Sequence, residues 1–415
     1  MKILVVTNLY PPMMLGGYEI LCESVVGKLT ARGHEVAVQT SSDPTAQAEC
    51  AKKESGRFQE PIHRNLRLFI PFDRPAAKAR LKHFIISHYN ERQTARLIAL
   101  GKPDIVFFWS QRRLSLGSVW ATQRSSVPYA MTLNDDFLLA YRPVPFTFSP
   151  RRVAACLLEQ TIFSRVTYRG LQLPAVTINS NSLLDAYLKA TTPLEHGRVI
   201  YQGIELEKFP LKQQPGSVHQ PARLLYVGQL HDYKGIHVAV AAFASLWRKG
   251  CDATLTIIGA GNPEYEQKLR KQALELGVAG YVCFTGKLPH AQLARYYQQH
   301  DFLIFPSLWN EPFGSTHLEA MACGTLVVST TCGGPGEFLE DGRNALTVEP
   351  GNVPQLAAKI IRLVEDGELR HCLAVAARRD VENHYNAERY SRDLEAFLIH
   401  TAEHWGELKS TARRF

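Results

Sequence analysis

Residues 305–324 read FPSLWNEPFGSTHLEAMACG, and the fold is decided there. Residues 301–305 (DFLIF), which lead into it, form a short apolar run of the kind that makes a buried strand. Pro312-Phe313-Gly314 makes a turn, and Ser315 or Thr316 can open the helix-forming run that follows. The order is strand, turn, helix. Gly314 lets the backbone approach a ligand closely, and the free N–H groups at a helix start bind anions, phosphate above all. Glu311 and Glu319 flank the turn with seven residues between them. Spacing alone leaves two readings open: a capped helix whose glutamates face water, or an anion-binding loop.

The flanking sequence repeats the pattern. After a Pro-, Gly- and Gln-bearing linker at 203–222, a series of short apolar runs begins: 223–227 (RLLYV), 253–258, 282–285 and 325–329 (TLVVS). Each ends at glycine, at Gly228, Gly259 and Gly261, Gly286, or the 333–336 loop GGPG. Helices are expected at 236–249, 263–277, 290–299, 354–365 and 384–407. Lys234 lies just before Gly235, where it can reach a diphosphate as a mobile point charge or simply be a solvated loop lysine.

The first half alternates in the same way. KILVVT at 2–7 reads as a buried parallel strand, followed by a loop with Gly16 and Gly17, then an amphipathic helix over 18–30 and a second strand. Open α/β sheets bind ligands where such loops leave strand carboxyl ends, although G-x-G-x-x-G is absent. Residues 42–75 read as irregular. Residues 76–100 read as a helix carrying Lys78, Arg80, Lys82, Arg92 and Arg96 among Leu81, Phe84, Ile85, Tyr89 and Leu97. It either packs on the sheet with its basic face in water or lies on a membrane surface. Further strands are expected at 104–109, 128–133 (opening onto Asn134-Asp135-Asp136), 175–178 and 198–201. The alternation gives two doubly wound sheets in tandem.

Bulk properties agree with two domains. A chain of 415 residues exceeds one ordinary core, and 45% hydrophobic with 21% charged residues describes a globular chain. The eight cysteines are scattered, without C-x-x-C or zinc spacing, and several sit inside apolar runs and read as small core residues, in a reduced, cytoplasmic setting with no metal site. MKILVVT is too short for a signal peptide, and no apolar run approaches the roughly 18–20 residues of a membrane span. The net charge of +8 belongs to the first half: residues 1–205 hold 25 Lys and Arg against 16 Asp and Glu. That basic half is either a solvated face or suited to an anionic partner, a membrane surface or a phosphorylated acceptor. No nucleic-acid motif is present.

In their order, the motifs resemble those of the retaining GT-B glycosyltransferases of family 4. Glu311-Pro-Phe-Gly followed by Leu318-Glu-Ala-Met-Ala-Cys-Gly324 matches that family's E-x7-E signature. Tyr10-Pro-Pro, Gly16-Gly17-x-Glu19, Arg32-Gly-His-Glu-Val36, Gly203-Ile-Glu, Val227-Gly-x-Leu, Lys234-Gly, Gly259-x-Gly261, Gly286 and Gly333-Gly with Glu337 fall in family order. The resemblance spans nearly the whole chain and is weakest at 42–175.

It implies a GT-B α/β fold with two Rossmann-like, doubly wound domains facing a central cleft. These are an acceptor-binding domain over 1–203, with the last helix at about 388–415 crossing back to it, and a nucleotide-sugar domain over 204–387. Lys234 would contact the donor diphosphate, and Glu311 would hold sugar hydroxyls. Gly314, Ser315 and Thr316 would offer N–H groups, and Glu319 would grip the ribose. Gln229 and Gly286 would line the same donor site, while Gly16 and Gly17 would face it from the first domain. The implied reaction is metal-independent transfer, with retained configuration, from a nucleotide-sugar to a glycan, glycolipid or lipid-linked acceptor. No cofactor is implied beyond that donor, and the setting is the cytoplasm, with a peripheral contact at the inner membrane face as one reading of the basic half.

Two positions depart from the family pattern. Arginine is frequent at Gln229, and histidine at Asn134, beside Asp135. Each loss removes about 2–4 kcal/mol of transition-state stabilisation unless another group, such as His231, Arg112 or Arg113, replaces it. A non-catalytic nucleotide-sugar-binding module is the alternative these departures leave.

Overall fold

The computed structural model describes residues 1–14, 16–42, 60–69, 80–142, 167–190, 192, 194 and 197–412. They form two compact units, residues 1–200 with 391–415, and residues 201–390. The expectations for residues 43–59 and 70–79, Lys78 among them, lie outside the described residues, as do Cys50 and Cys156. No described helix is long and apolar enough to cross a membrane.

The first unit is built on seven parallel strands: β1 (Lys2–Thr7), β2 (Glu35–Ser41), β3 (Ile62–Leu66), β4 (Ile105–Ser110), β5 (Tyr129–Leu133), β6 (Val176–Ile178) and β7 (Arg198–Val199). Their order is β3-β2-β1-β4-β5-β6-β7. β1 is buried from Ile3 to Thr7 and β4 along its whole length, which is why KILVVT and IVFFWS are almost unbroken apolar runs. β3, with the sequence IHRNL, corrects the expectation of irregular chain over 42–75. It is an edge strand, mostly half-buried, so it carries no apolar signature, yet it pairs with β2 from Val38 opposite Ile62.

The helix Arg80–Gly101 falls where one was expected over 76–100, but its buried face is not formed by its apolar residues alone. Its apolar Leu81 and Ile85 are 63% and 58% exposed, while its buried face is His83, Ile86, Ser87, Asn90, Glu91, Thr94 and Ile98. Hydrogen bonds hold the buried Asn90 and Thr94 side chains. Thr94 Oγ1 lies 2.9 Å from Gln39 Oε1 and 2.8 Å from Ser118 Oγ, and the Asn90 amide bonds Arg67 N and O, each at 2.9 Å. The helix runs so close to Gly117 that a Cβ there would sit 2.0 Å from Ser87 O.

The chain ends on this unit through the helices Ala387–Glu403 and Trp405–Thr411. Glu395 takes Arg32 Nη1 at 2.8 Å and lies 2.7 Å from His34 Nε2, and the Trp405 ring packs edge-on against Tyr129 at 4.9 Å.

The second unit has six parallel strands: β8 (Ala222–Val227), β9 (Ala253–Ile258), β10 (Val282–Gly286), β11 (Phe302–Phe305), β12 (Leu326–Thr330) and β13 (Leu346–Val348). Their order is β10-β9-β8-β11-β12-β13. The helix Ile236–Arg248 buries Ile236, Val240, Phe243 and Leu246 against the sheet's core. The C-terminal region corrects the sequence reading, because the polar helix Gly367–His384 stands between the two helices expected there. Cys22 and Cys323 are buried as expected of core cysteines, whereas Cys283 and Cys372 are exposed.

Both strand orders reverse direction once, at β1/β4 in the first unit and at β8/β11 in the second. At such a point the loops leaving neighbouring strands diverge and open a crevice beyond their carboxyl ends, where doubly wound sheets bind ligands.

Candidate active site

The reversal point of the second unit gathers the charged residues of the opening stretch. β8 ends at Val227 and leads through Gly228–His231 into the short 3-10 turn Asp232–Lys234. Gly235 follows with φ +71°, and a Cβ there would lie 1.9 Å from Pro306 O, so only glycine lets this loop touch the one leaving β11. Leu308 N donates to Tyr233 O at 2.9 Å and ties the loops a second time.

The consequence is a direct ion pair: Lys234 Nζ donates to Glu311 Oε1 at 2.8 Å and Oε2 at 2.6 Å. Ser307 Oγ donates to Oε1 at 2.6 Å. The Glu311 backbone is clamped as well, its N–H donating to Cys332 O at 3.1 Å and its carbonyl accepting from Gly334 N at 2.7 Å. Aromatic rings surround the ammonium, with Trp309, Tyr233 and Phe305 centroids 5.0, 5.6 and 5.9 Å from Nζ. Tyr233 and Trp309 remain over a third exposed, so this slot opens to solvent.

Past Glu311 the chain turns at Gly314, whose φ of +122° a side chain would strain. Gly314 itself caps the helix Ser315–Cys323, which corrects the expectation that Ser315 or Thr316 would do so by side chain. Both lie instead in the first helical turn, whose N–H groups have no partner within the helix. His317 supports the turn from below. Its Nδ1 lies 3.2 Å from Gly314 O and its Nε2 lies 2.8 Å from Ser329 Oγ. Complete burial lowers its pKa to about 4, so the ring is neutral at pH 7.

Glu319, on the next turn, is buried. Tyr297 Oη donates to Oε2 at 2.8 Å, and His290 Nε2 lies 2.9 Å from Oε1. Burial opposes a charge on His290, but its hydrogen bond to Glu319 and that carboxylate's charge outweigh it, so the pKa lies above the usual value.

Three sequence candidates sit at the margin. The Gln229 side chain is exposed, and its carbonyl accepts Tyr226 Oη at 3.0 Å. His231 stacks on Tyr233 with centroids 5.2 Å apart, which brings an imidazole ring beside the slot. Gly286 closes β10 with φ +74°, and no heavy atom lies within 4 Å of where its Cβ would be.

The remaining candidates belong to the first unit. Gly16 precedes the helix Gly17–Ala31, and its N–H donates to Glu19 Oε2 at 3.0 Å. Asn134 is buried just past β5, where its carbonyl accepts from Tyr18 Oη and from Asn179 Nδ2. Asp135 Oδ1 accepts from Phe137 N at 2.9 Å, and Oδ2 accepts from Arg112 Nε at 3.0 Å. Arg112 also bonds Asp136 at 2.7 Å. Burial raises the Asp135 pKa, and the Arg112 charge only partly offsets it. In this structure Asp135 therefore caps a turn and pairs with Arg112.

The sequence reading missed Ser307, His290, Tyr297 and Trp309. The first three touch the two glutamates, and each contact joins residues that only the tertiary fold brings together or that carry no motif of their own. Among the described residues, no group of three or more His, Cys, Asp or Glu is placed to hold a metal ion.

Two Rossmann-like parallel sheets in tandem, the second with a Lys–Glu pair at its reversal point, define the GT-B architecture. Two family profiles then account for almost the whole chain: "Glycosyltransferase Family 4" over residues 15–208 and "Glycosyl transferases group 1" over residues 207–380. The chain belongs to the group 1 glycosyltransferases and is an enzyme of that class. It is 27% identical over 401 residues to a glycogen synthase of Mycobacterium tuberculosis, covering 93% of this chain and 91% of that one. It is 25% identical over 392 residues to a GDP-mannose-dependent alpha-(1-6)-phosphatidylinositol monomannoside mannosyltransferase of Mycolicibacterium smegmatis, covering 90% and 92%. Among solved structures, Anabaena HepE in complex with UDP-glucose matches with TM-score 0.70 and 20% identity, over 96% of this chain and 100% of that one, and shows the shared fold.

Proposed function

We propose that the second unit binds a nucleoside-diphosphate sugar and that the enzyme transfers the sugar with retained configuration, without a metal ion. The Lys234–Glu311 pair at the strand-order reversal carries this reading. An ammonium and a carboxylate held on two touching loops offer a donor its two recognisable ends. Diphosphate oxygens take Lys234 and the first-turn N–H groups of Ser315 and Thr316, while sugar hydroxyls donate to Glu311. As the bond to the sugar breaks, negative charge grows on the leaving diphosphate, where those donors already stand. The leaving phosphate oxygen can take the proton of the acceptor hydroxyl, so the scheme asks for no further base. Glu319 lies on the same helix, where it accepts from the ribose diol. The named complexes of UDP-glucose and the GDP-mannose-dependent relative support a donor of this class.

The acceptor is a glycan, glycolipid or lipid-linked sugar, a choice favoured by the phosphatidylinositol-linked acceptor in that relative's name. Leu81, Ile85, Arg92 and Arg96 are exposed at spacings that put them on one side of the helix Arg80–Gly101, an arrangement suited to an anionic lipid surface. Co-sedimentation with phosphatidylglycerol vesicles should exceed that with phosphatidylcholine alone and fall in Arg92→Glu/Arg96→Glu; equal binding to both vesicles removes this part.

For the donor site, UDP-glucose, GDP-mannose and ADP-glucose would be titrated against wild type and Glu319→Ala. At least one should bind wild type and lose about tenfold or more in affinity in the variant. If Glu319→Ala binds like wild type, the donor site lies elsewhere.

A further inference from the structure

Glu319 is held from behind by two side chains of a single helix. His290 and Tyr297 are seven residues apart on the helix His290–Gln299, two turns, and so project from the same face. One reaches each carboxylate oxygen: His290 Nε2 lies 2.9 Å from Oε1, and Tyr297 Oη donates to Oε2 at 2.8 Å. Both rings are braced by Phe209, edge-on to His290 at 5.6 Å and tilted against Tyr297 at 6.1 Å. Tyr297 is fully buried, whereas the His290 side chain is 24% exposed. A carboxylate offers about four lone-pair positions. With one on each oxygen filled from the protein, one on each oxygen remains, and two acceptor sites side by side suit a vicinal diol.

The charged neighbours of His290 are few. Glu319 faces it from the helix Ser315–Cys323, and Lys208 and Glu205, themselves an ion pair, face it from the turn Leu206–Lys208 and the residue that precedes that turn. Cys323, beside Glu319 and Tyr297, has its thiol pushed up to about 12 by burial and stays neutral.

We infer that His290 and Tyr297 are positioning residues that pre-orient Glu319 for the donor's ribose diol, and that His290 makes donor affinity depend on pH. This rests on reading Glu319 as the ribose carboxylate. With His290 protonated, the His290–Glu319 pair is neutral overall and its Nε2–H must donate. Once the ring loses its proton, the site carries one uncompensated negative charge close to where an anionic diphosphate binds, and only one of the two tautomers still donates to Glu319. Donor binding therefore weakens as pH rises past the His290 pKa.

The test is isothermal titration of wild type, His290→Gln, His290→Ala and Tyr297→Phe with UDP-glucose, GDP-mannose and ADP-glucose from pH 6 to 8.5. The diphosphate of a nucleotide-sugar has no group titrating in that span. Wild-type Kd should rise about fivefold to tenfold across it, the effect of one unit charge at roughly 10 Å. His290→Gln keeps an N–H donor without a titrating charge, so its Kd should be nearly flat. His290→Ala should be flat and about tenfold weaker than His290→Gln, since the donor is lost as well. Tyr297→Phe should weaken binding while keeping the wild-type pH slope. A flat wild-type profile, or a wild-type slope retained in His290→Gln, overturns the inference while leaving the donor site in place. If none of the three probes binds wild type, or Glu319→Ala binds as wild type does, the donor reading itself fails and the inference with it.

Discussion

Removing the second member of the Lys234–Glu311 pair should cost far less than removing the first. The two side chains are only 12% and 8% exposed and meet at 2.6 Å. Loss of one partner strands the other as a nearly buried charge, at a cost of about 3–5 kcal/mol in a dry site. The lower end applies here, because the slot opens to solvent beside Trp309 and because the ring faces around Nζ stabilise an unpaired ammonium in part. Lys234→Met keeps the apolar stem and removes the charge; Glu311→Gln keeps the shape and an acceptor for Ser307 Oγ. Each should destabilise the second unit by about 3 kcal/mol, and the double variant should lose about 2 kcal/mol less than their sum. Urea unfolding, with the transition of residues 201–390 followed separately from the other unit, measures this cycle. Transfer should behave differently. Lys234→Met should lower kcat by about 10²–10³, and the double variant should not recover it, because stability and charge stabilisation are separate uses of one ammonium. Additivity of the stability losses within about 0.5 kcal/mol would refute the argument, since it would mean that Lys234 is solvated and the contact contributes nothing.

Two further outcomes follow from geometry. A Cβ on Gly16 or Gly17 would meet nothing within 4 Å, so Gly16→Ala and Gly17→Ala should leave the melting temperature unchanged or slightly raised; a rise in KM of about tenfold would then report a ligand passing close to that backbone, and unchanged KM for donor and acceptor alike would remove both residues from the site. His83 and His317, one in each unit, are held neutral by burial with pKa values lowered to about 4. Below about pH 6.5 the unfolded chain binds protons that the native rings refuse, so stability should fall as pH drops from 6.5 towards 4, by about 2 kcal/mol per histidine between pH 7 and 5. His317→Gln should flatten that dependence in the second unit, and an unchanged slope there would assign the acid sensitivity to other groups.

The strands were legible where both faces of a parallel sheet are buried, as in KILVVT and IVFFWS, since burial on both sides writes itself as a continuous apolar run. Glu311, Glu319 and Lys234 were legible because glycine-bearing turns at strand ends mark the places where backbone must bend or touch. What was not legible is of two kinds. The edge strand β3 and the helix Arg80–Gly101 are stabilised by pairing and by buried hydrogen bonds, through Asn90 and Thr94, so their composition points away from their packing. Ser307, His290 and Tyr297 carry no local signal at all. His290 meets Glu319 across 29 positions and Tyr297 meets it across 22, and only the parallel order of the strands brings those helices together.

The contacts of Glu395 with Arg32 and His34 close loops of more than 360 residues. Residues 201–390 form one uninterrupted segment, whereas residues 391–415 return to a unit begun at the first residue. During synthesis the second unit therefore has all of its chain before the first does, although it is made later. The first unit must wait with its seat for the helix Ala387–Glu403 uncovered, including the side chains of Arg32 and His34. A polypeptide stopped at 390 would carry every candidate donor-site residue of the second unit and still leave the other unit unfinished.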